Sequence, residues 1–253
     1  MKTLITPALL AGLLAALILT VAQHFTADRL ILEAETYETA AESAAPQPAE
    51  PVAAHSHDDA QTANPDHHAA PAEEWEPENG WQRILSTASA NSLLGVGYGL
   101  LLVGIFRLRP PRNTMTGLAW GAAGYLTVFV APSIGLHPEL PGTAAAELMG
   151  RQEWWIGTVL ATASGLGLCV LTQSWSLRAV GLVLLALPHL IGAPHPAVKE
   201  ALAPEALQHQ FILASALLNA LFWLIIGPLS AWLYCRANGI TSSAQDAPVA
   251  SAT

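Results

Sequence analysis

Residues 4–24, LITPALLAGLLAALILTVAQH, run from Leu4 to His24 without an Asp, Glu, Lys or Arg. Roughly 20 mainly apolar residues are what a helix needs to cross a bilayer. A cleaved signal peptide is the competing reading, since Lys2 precedes an apolar core. The run is long for such a core, however, and Thr20-Val-Ala22 matches the Ala-x-Ala cleavage pattern poorly. The stretch is therefore expected to remain as a membrane helix, and the question becomes how many others follow it.

Five more apolar runs can be read, at 84–106, 115–136, 154–173, 177–193 and 211–234. The first of these is diluted at its start by Ser86, Thr87, Ser89, Asn91 and Ser92, and 177–193 is short and holds Pro188. Composition agrees: 52% of the 253 residues are apolar and 11% charged, against about a quarter charged in a soluble domain. The expected fold is all-α, a polytopic membrane helix bundle of about six transmembrane helices with a disordered acidic, His-bearing outer loop. The chain divides into a first transmembrane helix (1–24), an outward acidic loop (25–83), a five-helix membrane bundle (84–234) and a disordered cytoplasmic tail (235–253).

Charge excludes several functions. Of 19 Asp and Glu, 13 fall within 28–78, so the net charge of −9 belongs mostly to one segment. No basic stripe exists to neutralise phosphates, which excludes nucleic acid as a partner. The only lysines are Lys2 and Lys199, and no Gly-x-x-x-x-Gly-Lys loop occurs, so the chain should not hydrolyse ATP; no enzyme activity is expected. Cys169 and Cys235 lack C-x-x-C spacing and give neither a zinc site nor a disulfide framework.

Basic residues in short loops set orientation. Arg107, Arg109 and Arg112 crowd the connection after 84–106, and making that loop cytoplasmic also puts Lys2, Arg178 and Arg236 inside. Both termini then face the cytoplasm of an inner (plasma) membrane, and the acidic segment faces the periplasm or exterior. His24, His137, His189, His195 and His209 fall toward that same outer face, while both cysteines map to inner helix ends, where thiols stay reduced.

Within the spans, Gly117, Gly121 and Gly124, the cluster Gly95, Gly97 and Gly99, and Ala161, Gly165 and Gly167 read as small-residue seams. Such residues let helix backbones approach where lipid removes the hydrophobic driving force. No Asp or Glu lies inside the six runs, which argues against a charged relay through the bilayer centre. The polar remainder includes Asn91, Tyr98, Tyr125, His189 and Asn219, each ordinarily an interhelical hydrogen-bonding group. In LPHLIGAPHP (187–196), Pro188 removes a backbone donor and Gly192 with Pro194 ends the helix, leaving His189 and His195 near the outer surface. A surface histidine beyond a Pro-terminated helix and a cavity-lining broken helix both fit.

The outer segment carries HSHDDAQTANPDHH at 55–68. Imidazole binds cobalt, nickel, zinc and copper, and carboxylates can complete the shell. His55 and His57 would point the same way on an extended chain, Asp58 and Asp59 adjoin them, and Asp66, His67 and His68 form a second cluster. Pro46, Pro48, Pro51, Pro65 and Pro71 make the tract a tether by composition, so wrapping an ion costs chain entropy and affinity should be modest. A plain polar linker is the competing reading. Upstream, LILEAETYETAAE (30–42) places Glu35, Glu38 and Glu42 on one helical face, a solvated stripe or a relay for cations.

Together, LILEAETYE, EWEPENGWQR, APSIGLHPELPG, RQEWWIGT, LPHLIGAPHP and NALFW, in that order, resemble the CbtA family of cobalt transporter subunits across nearly the whole chain. The resemblance implies a polytopic inner-membrane protein for cobalt uptake linked with cobalamin synthesis. It also implies a small single-span partner, CbtB, with its own histidine motif. Carried onto this chain, the metal-capturing residues are His55, His57, His67 and His68, in two broken clusters rather than the long alternating runs often seen in the family.

The leading expectation is a membrane subunit of a divalent transition-metal uptake system, with cobalt as the cargo and nickel or zinc as alternatives. The metal is transient, and no tightly bound cofactor is expected. A second path or site would draw on His24, Glu35, Asn91, His189, His195 and Asn219. The alternative is a non-transporting metal-binding accessory or sensor; haem ligation by His24 and His189 is a third reading. Expected partners are the CbtB-type subunit, the lipid bilayer and a second copy of the chain.

Overall fold

A computed structural model describes residues 2–44, 77–198 and 200–240. Those residues are helical almost throughout: α1 Lys2–Phe25, α2 Ala27–Ala44, α3 Trp81–Leu108, α4 Thr114–Tyr125, a π-helical stretch Leu126–Val130, α5 Ala131–Gly135, α6 Leu148–Leu171, α7 Trp175–Ile191 and α8 Glu205–Ala237. α4, the π stretch and α5 form one continuous rod. Five spans are long and apolar enough to cross a membrane, namely Leu4–Phe25, Trp81–Leu108, Thr114–Gly135, Leu148–Leu171 and Glu205–Ala237. The expected sixth, α7, is apolar but has 17 residues, about 25 Å at 1.5 Å per residue against a hydrocarbon core of ~30 Å.

Small residues position the helices. A Cβ on Gly95 would come within 2.4 Å of the Gly12 carbonyl oxygen, and one on Gly99 within 2.4 Å of the Ala8 oxygen, so α1 and α3 cross with backbones touching. Gly117 and Gly121 sit against Gly227 and Trp223, bringing α4 onto α8, and Gly165 meets Gly181 where α6 packs on α7. Two glycines expected on seams are not on them: a Cβ at Gly97 or Gly167 would meet nothing within 4 Å. Counting glycines along a run does not say which face they share. The α1 side of its seam is built from Ala8, Gly12 and Ala16, which no glycine repeat announces.

The main core lies among α1, α3, α4 and α8. Leu102, Phe106, Phe222, Trp223 and Ile226 are buried there, with Phe106 edge-on to Tyr234 at 5.8 Å between ring centroids. Outside it, Leu93 is 77% exposed and Leu190 81% exposed; apolar faces this bare suit lipid, not water. Local signals set the ends. Asn113 accepts the Thr116 N–H and caps α4, Glu147 caps α6, and Gly192, at φ +85°, ends α7. Pro132 accounts for the π stretch: its ring would strike the Val128 carbonyl of a regular helix, and widening the turn relieves the clash, with Ala131 N–H bonding Leu126.

α6 and α8 begin six residues before their apolar runs, at Leu148 rather than 154 and at Glu205 rather than 211, and α3 begins three before, at Trp81 rather than 84. Arg151, Gln152 and Glu153 in α6, and Glu205, Gln208, His209 and Gln210 in α8, belong to the helix but not to the apolar pattern. The segment 25–83, expected as one outer loop, contains α2, an 18-residue helix separated from α1 by a break at Thr26.

At the end of the bundle where α1, α5 and α7 finish, two connections meet. Ala144 N–H bonds the Glu200 oxygen at 2.8 Å and Leu202 N–H the Gly142 oxygen at 3.2 Å. Gln208 on α8 clamps the same loop, donating to the Pro138 oxygen at 2.7 Å and accepting from Leu140 N–H at 3.1 Å. A second small core, Ala34, Leu140, Ala203 and Leu207, fastens α2 to this cap.

Candidate functional site

His55, His57, Asp58, Asp59, Asp66, His67 and His68 lie outside the described residues. The residues flanking them are described. α2 ends at Ala44 and α3 starts at Trp81. Glu35 of α2 forms an ion pair with Arg83 of α3, one of whose guanidinium nitrogens lies 3.3 Å from the carboxylate. This pair ties α2 to the first turn of α3, while α2 itself packs on α8 and α1. The acidic stripe expected at Glu35, Glu38 and Glu42 is therefore not uniform, because its first member is engaged across the α2–α3 contact.

His24 closes α1, half exposed, with Nδ1 3.5 Å from Asp28 at the start of α2. The two line a small cavity of about 180 Å³ together with Arg83 and Asn79. One turn deeper, Asn91 is buried and donates to Thr20 Oγ1 at 3.0 Å and to the Gln23 side-chain oxygen. Thr20 passes its own hydroxyl proton to the Ala16 oxygen at 2.9 Å. Asn91 is thus part of a closed polar stitch between α1 and α3.

The remaining predicted residues lie apart from that group. Asn219 donates to the Ser215 oxygen of its own helix at 3.0 Å. His189 is half-buried in the last turn of α7, edge-on to Trp154 at 6.3 Å, and Trp154 donates its indole N–H to the Pro188 oxygen at 3.3 Å. His195 is exposed in the following loop. His24 has Phe25 and Asp28 as neighbours and His189 has Trp154, so the structure brings the pair required for haem ligation against different partners. Among the described residues, no three His, Cys, Asp or Glu side chains converge as a metal site. His24 with Asp28 offers two donors, with Gln23 and Asn91 below.

The larger cleft was not foreseen. It measures about 900 Å³ and opens between the first turns of α6, α8, α2 and the 136–143 loop. Its walls are mostly apolar, with Arg151 and Glu139 3.7 Å apart across them. Glu147, at the α6 N-terminus, accepts the N–H groups of Met149 and Gly150, and these two bonds hold its carboxyl below the ordinary glutamate value. Nothing in the sequence indicates that residues 31, 139, 151 and 211 meet.

Five spans, buried small-residue crossings and a lipid-compatible surface define a multi-pass all-α membrane protein. Residues 1–235 match the family described as "Probable cobalt transporter subunit (CbtA)", and the chain belongs to that family. Membership implies a subunit of a cobalt transporter. No curated protein and no solved structure is significantly similar to the chain.

Proposed function

We propose that this chain is the polytopic subunit of a divalent transition-metal uptake system of the inner membrane, with cobalt as cargo. The family match over 1–235 carries the reading. His55, His57, His67 and His68, assisted by Asp58, Asp59 and Asp66, capture the ion on the outer face, and the helix bundle passes it inward. The tether emerges from α2 and re-enters at α3, and the Glu35–Arg83 ion pair keeps those helices together beside His24 and Asp28. A captured ion is then delivered next to an imidazole and a carboxylate rather than to bare lipid-facing helix. A small single-span subunit supplies the further ligands that two broken clusters lack.

Imidazole must be neutral to bind metal, so capture weakens as pH falls through the histidine range near 6.5. Equilibrium cobalt binding by the full chain in detergent tests this, comparing wild type with His55, His57, His67 and His68 all replaced by Ala. The wild type should bind at pH 7.5 and release by pH 5.5. Equal binding by the two forms would remove the capture role.

A further inference from the structure

Charge is divided between the two ends of the bundle. Every described Asp and Glu stands at the end where α1, α5 and α7 finish, on α2, in the connections there, or in the first two turns of α6 and α8. The opposite end, where α3, α6 and α8 finish, holds Arg107, Arg109, Arg112, Arg178 and Arg236 and, among the described residues, no carboxylate.

All but one of these arginines gather at a single corner. Cys235 Sγ donates to the Pro111 oxygen at 3.5 Å, and Phe106 meets Tyr234 edge-on, so the α3–α4 turn sits on the last turns of α8. Arg107, Arg109, Arg112 and Arg236 each stand within two residues of those contacts, and all are exposed. Arg178 belongs to the separate α6–α7 turn, where its Nε donates to the Thr172 oxygen at 3.1 Å. Orienting a membrane protein takes cations in short loops, but not their concentration in one of two turns. A cluster of guanidinium groups with no carboxylate among them attracts an anion.

The surrounding surface narrows that anion. Leu108, between Arg107 and Arg109, is 84% exposed, and Met115 and Trp232 are exposed as well. The Arg236 guanidinium lies 5.8 Å from the Trp232 ring centroid, near the end of a membrane-length helix. At such a level Arg and Trp side chains meet lipid headgroups. A soluble anion leaves these apolar side chains uncovered, and a zwitterionic headgroup would bring an ammonium up to the arginines.

We infer that this corner binds an anionic phospholipid of the phosphatidylglycerol type. Its phosphate lies among Arg107, Arg109, Arg112 and Arg236, and its acyl chains begin beside Leu108 and Trp232. The inference is independent of the metal reading, because none of these residues is assigned to metal.

Delipidated full-length protein in detergent is titrated with dioleoylphosphatidylglycerol, with dioleoylphosphatidylcholine and with inorganic phosphate, and bound mass is read by native mass spectrometry. The anionic lipid should bind about tenfold or more tightly than the zwitterionic one, because each arginine near an anionic headgroup contributes several-fold. Millimolar phosphate should not displace it. The combined Arg107→Gln, Arg109→Gln, Arg112→Gln and Arg236→Gln variant should lose the preference. Arg112→Gln alone, in a turn outside any helix, decides the matter where the combined variant fails to fold: it should lower the preference several-fold. Arg178→Gln, at the same end, should leave it unchanged. Equal binding of the two lipids, an unchanged preference in Arg112→Gln, an equal loss in Arg178→Gln, or displacement by inorganic phosphate would overturn the assignment.

Discussion

Asn91 joins two helices through a single amide. It is buried, gives both its protons to α1 side chains, and leaves Thr20 free to bond its own helix. Interhelical hydrogen bonds in membranes are worth about 1 kcal/mol, so Asn91→Leu should lower stability by about that much. Thermal unfolding in detergent measures the loss, and cobalt uptake per folded molecule should stay unchanged. Uptake lost without any fall in stability would instead make Asn91 a ligand. Glu147 acts through its charge. Its folded carboxyl titrates below the ordinary value of 4.5 because it caps α6. The cap is complete above that ordinary value and is lost as pH falls through the lowered one. Amide exchange at Met149 and Gly150 should therefore quicken in that acid window in wild type. In Glu147→Gln it should show no such step.

Glycine faces decide how the elements meet. A Cβ at Gly227 would lie 2.5 Å from the Gly117 oxygen and 2.8 Å from Gly121 Cα, both backbone atoms that cannot yield without moving a helix. Gly227→Ala should cost about 1–3 kcal/mol as overpacking. Gly97→Ala, with open space around it, should stay within about 0.5 kcal/mol. Thermal stability in nanodiscs separates the two, and equal effects would contradict the crossings described. The spans themselves were legible, because 20 uncharged residues have few other places to go. Helix starts were less so: charged and polar residues fall in the first two turns of α6 and α8, and hydropathy stops where the helix does not. The break at Thr26 carries no Gly or Pro, and α2 is acidic, so it lay hidden within the loop expected over 25–83.

On the scale of the molecule, α1, α3, α4 and α8 form the packed centre, while the α6–α7 hairpin attaches through α5 and the π stretch. The loop cap, the Glu35–Arg83 pair and the His24–Asp28 pair all lie at one end. His24, His189 and His209 lie in terminal turns of α1, α7 and α8, and His137 and His195 in the connections that follow α5 and α7. What periodicity could not supply is the cleft, because its walls are far apart in the chain and its polar members are ordinary interfacial residues. Transport is the central claim, and radioactive cobalt accumulation measures it most directly. Cells expressing the chain with the proposed small single-span subunit are compared with vector alone, with a deletion of residues 50–72 and with His189→Ala. Accumulation above vector that falls sharply on the deletion is the predicted result. No accumulation above vector in any combination would contradict it.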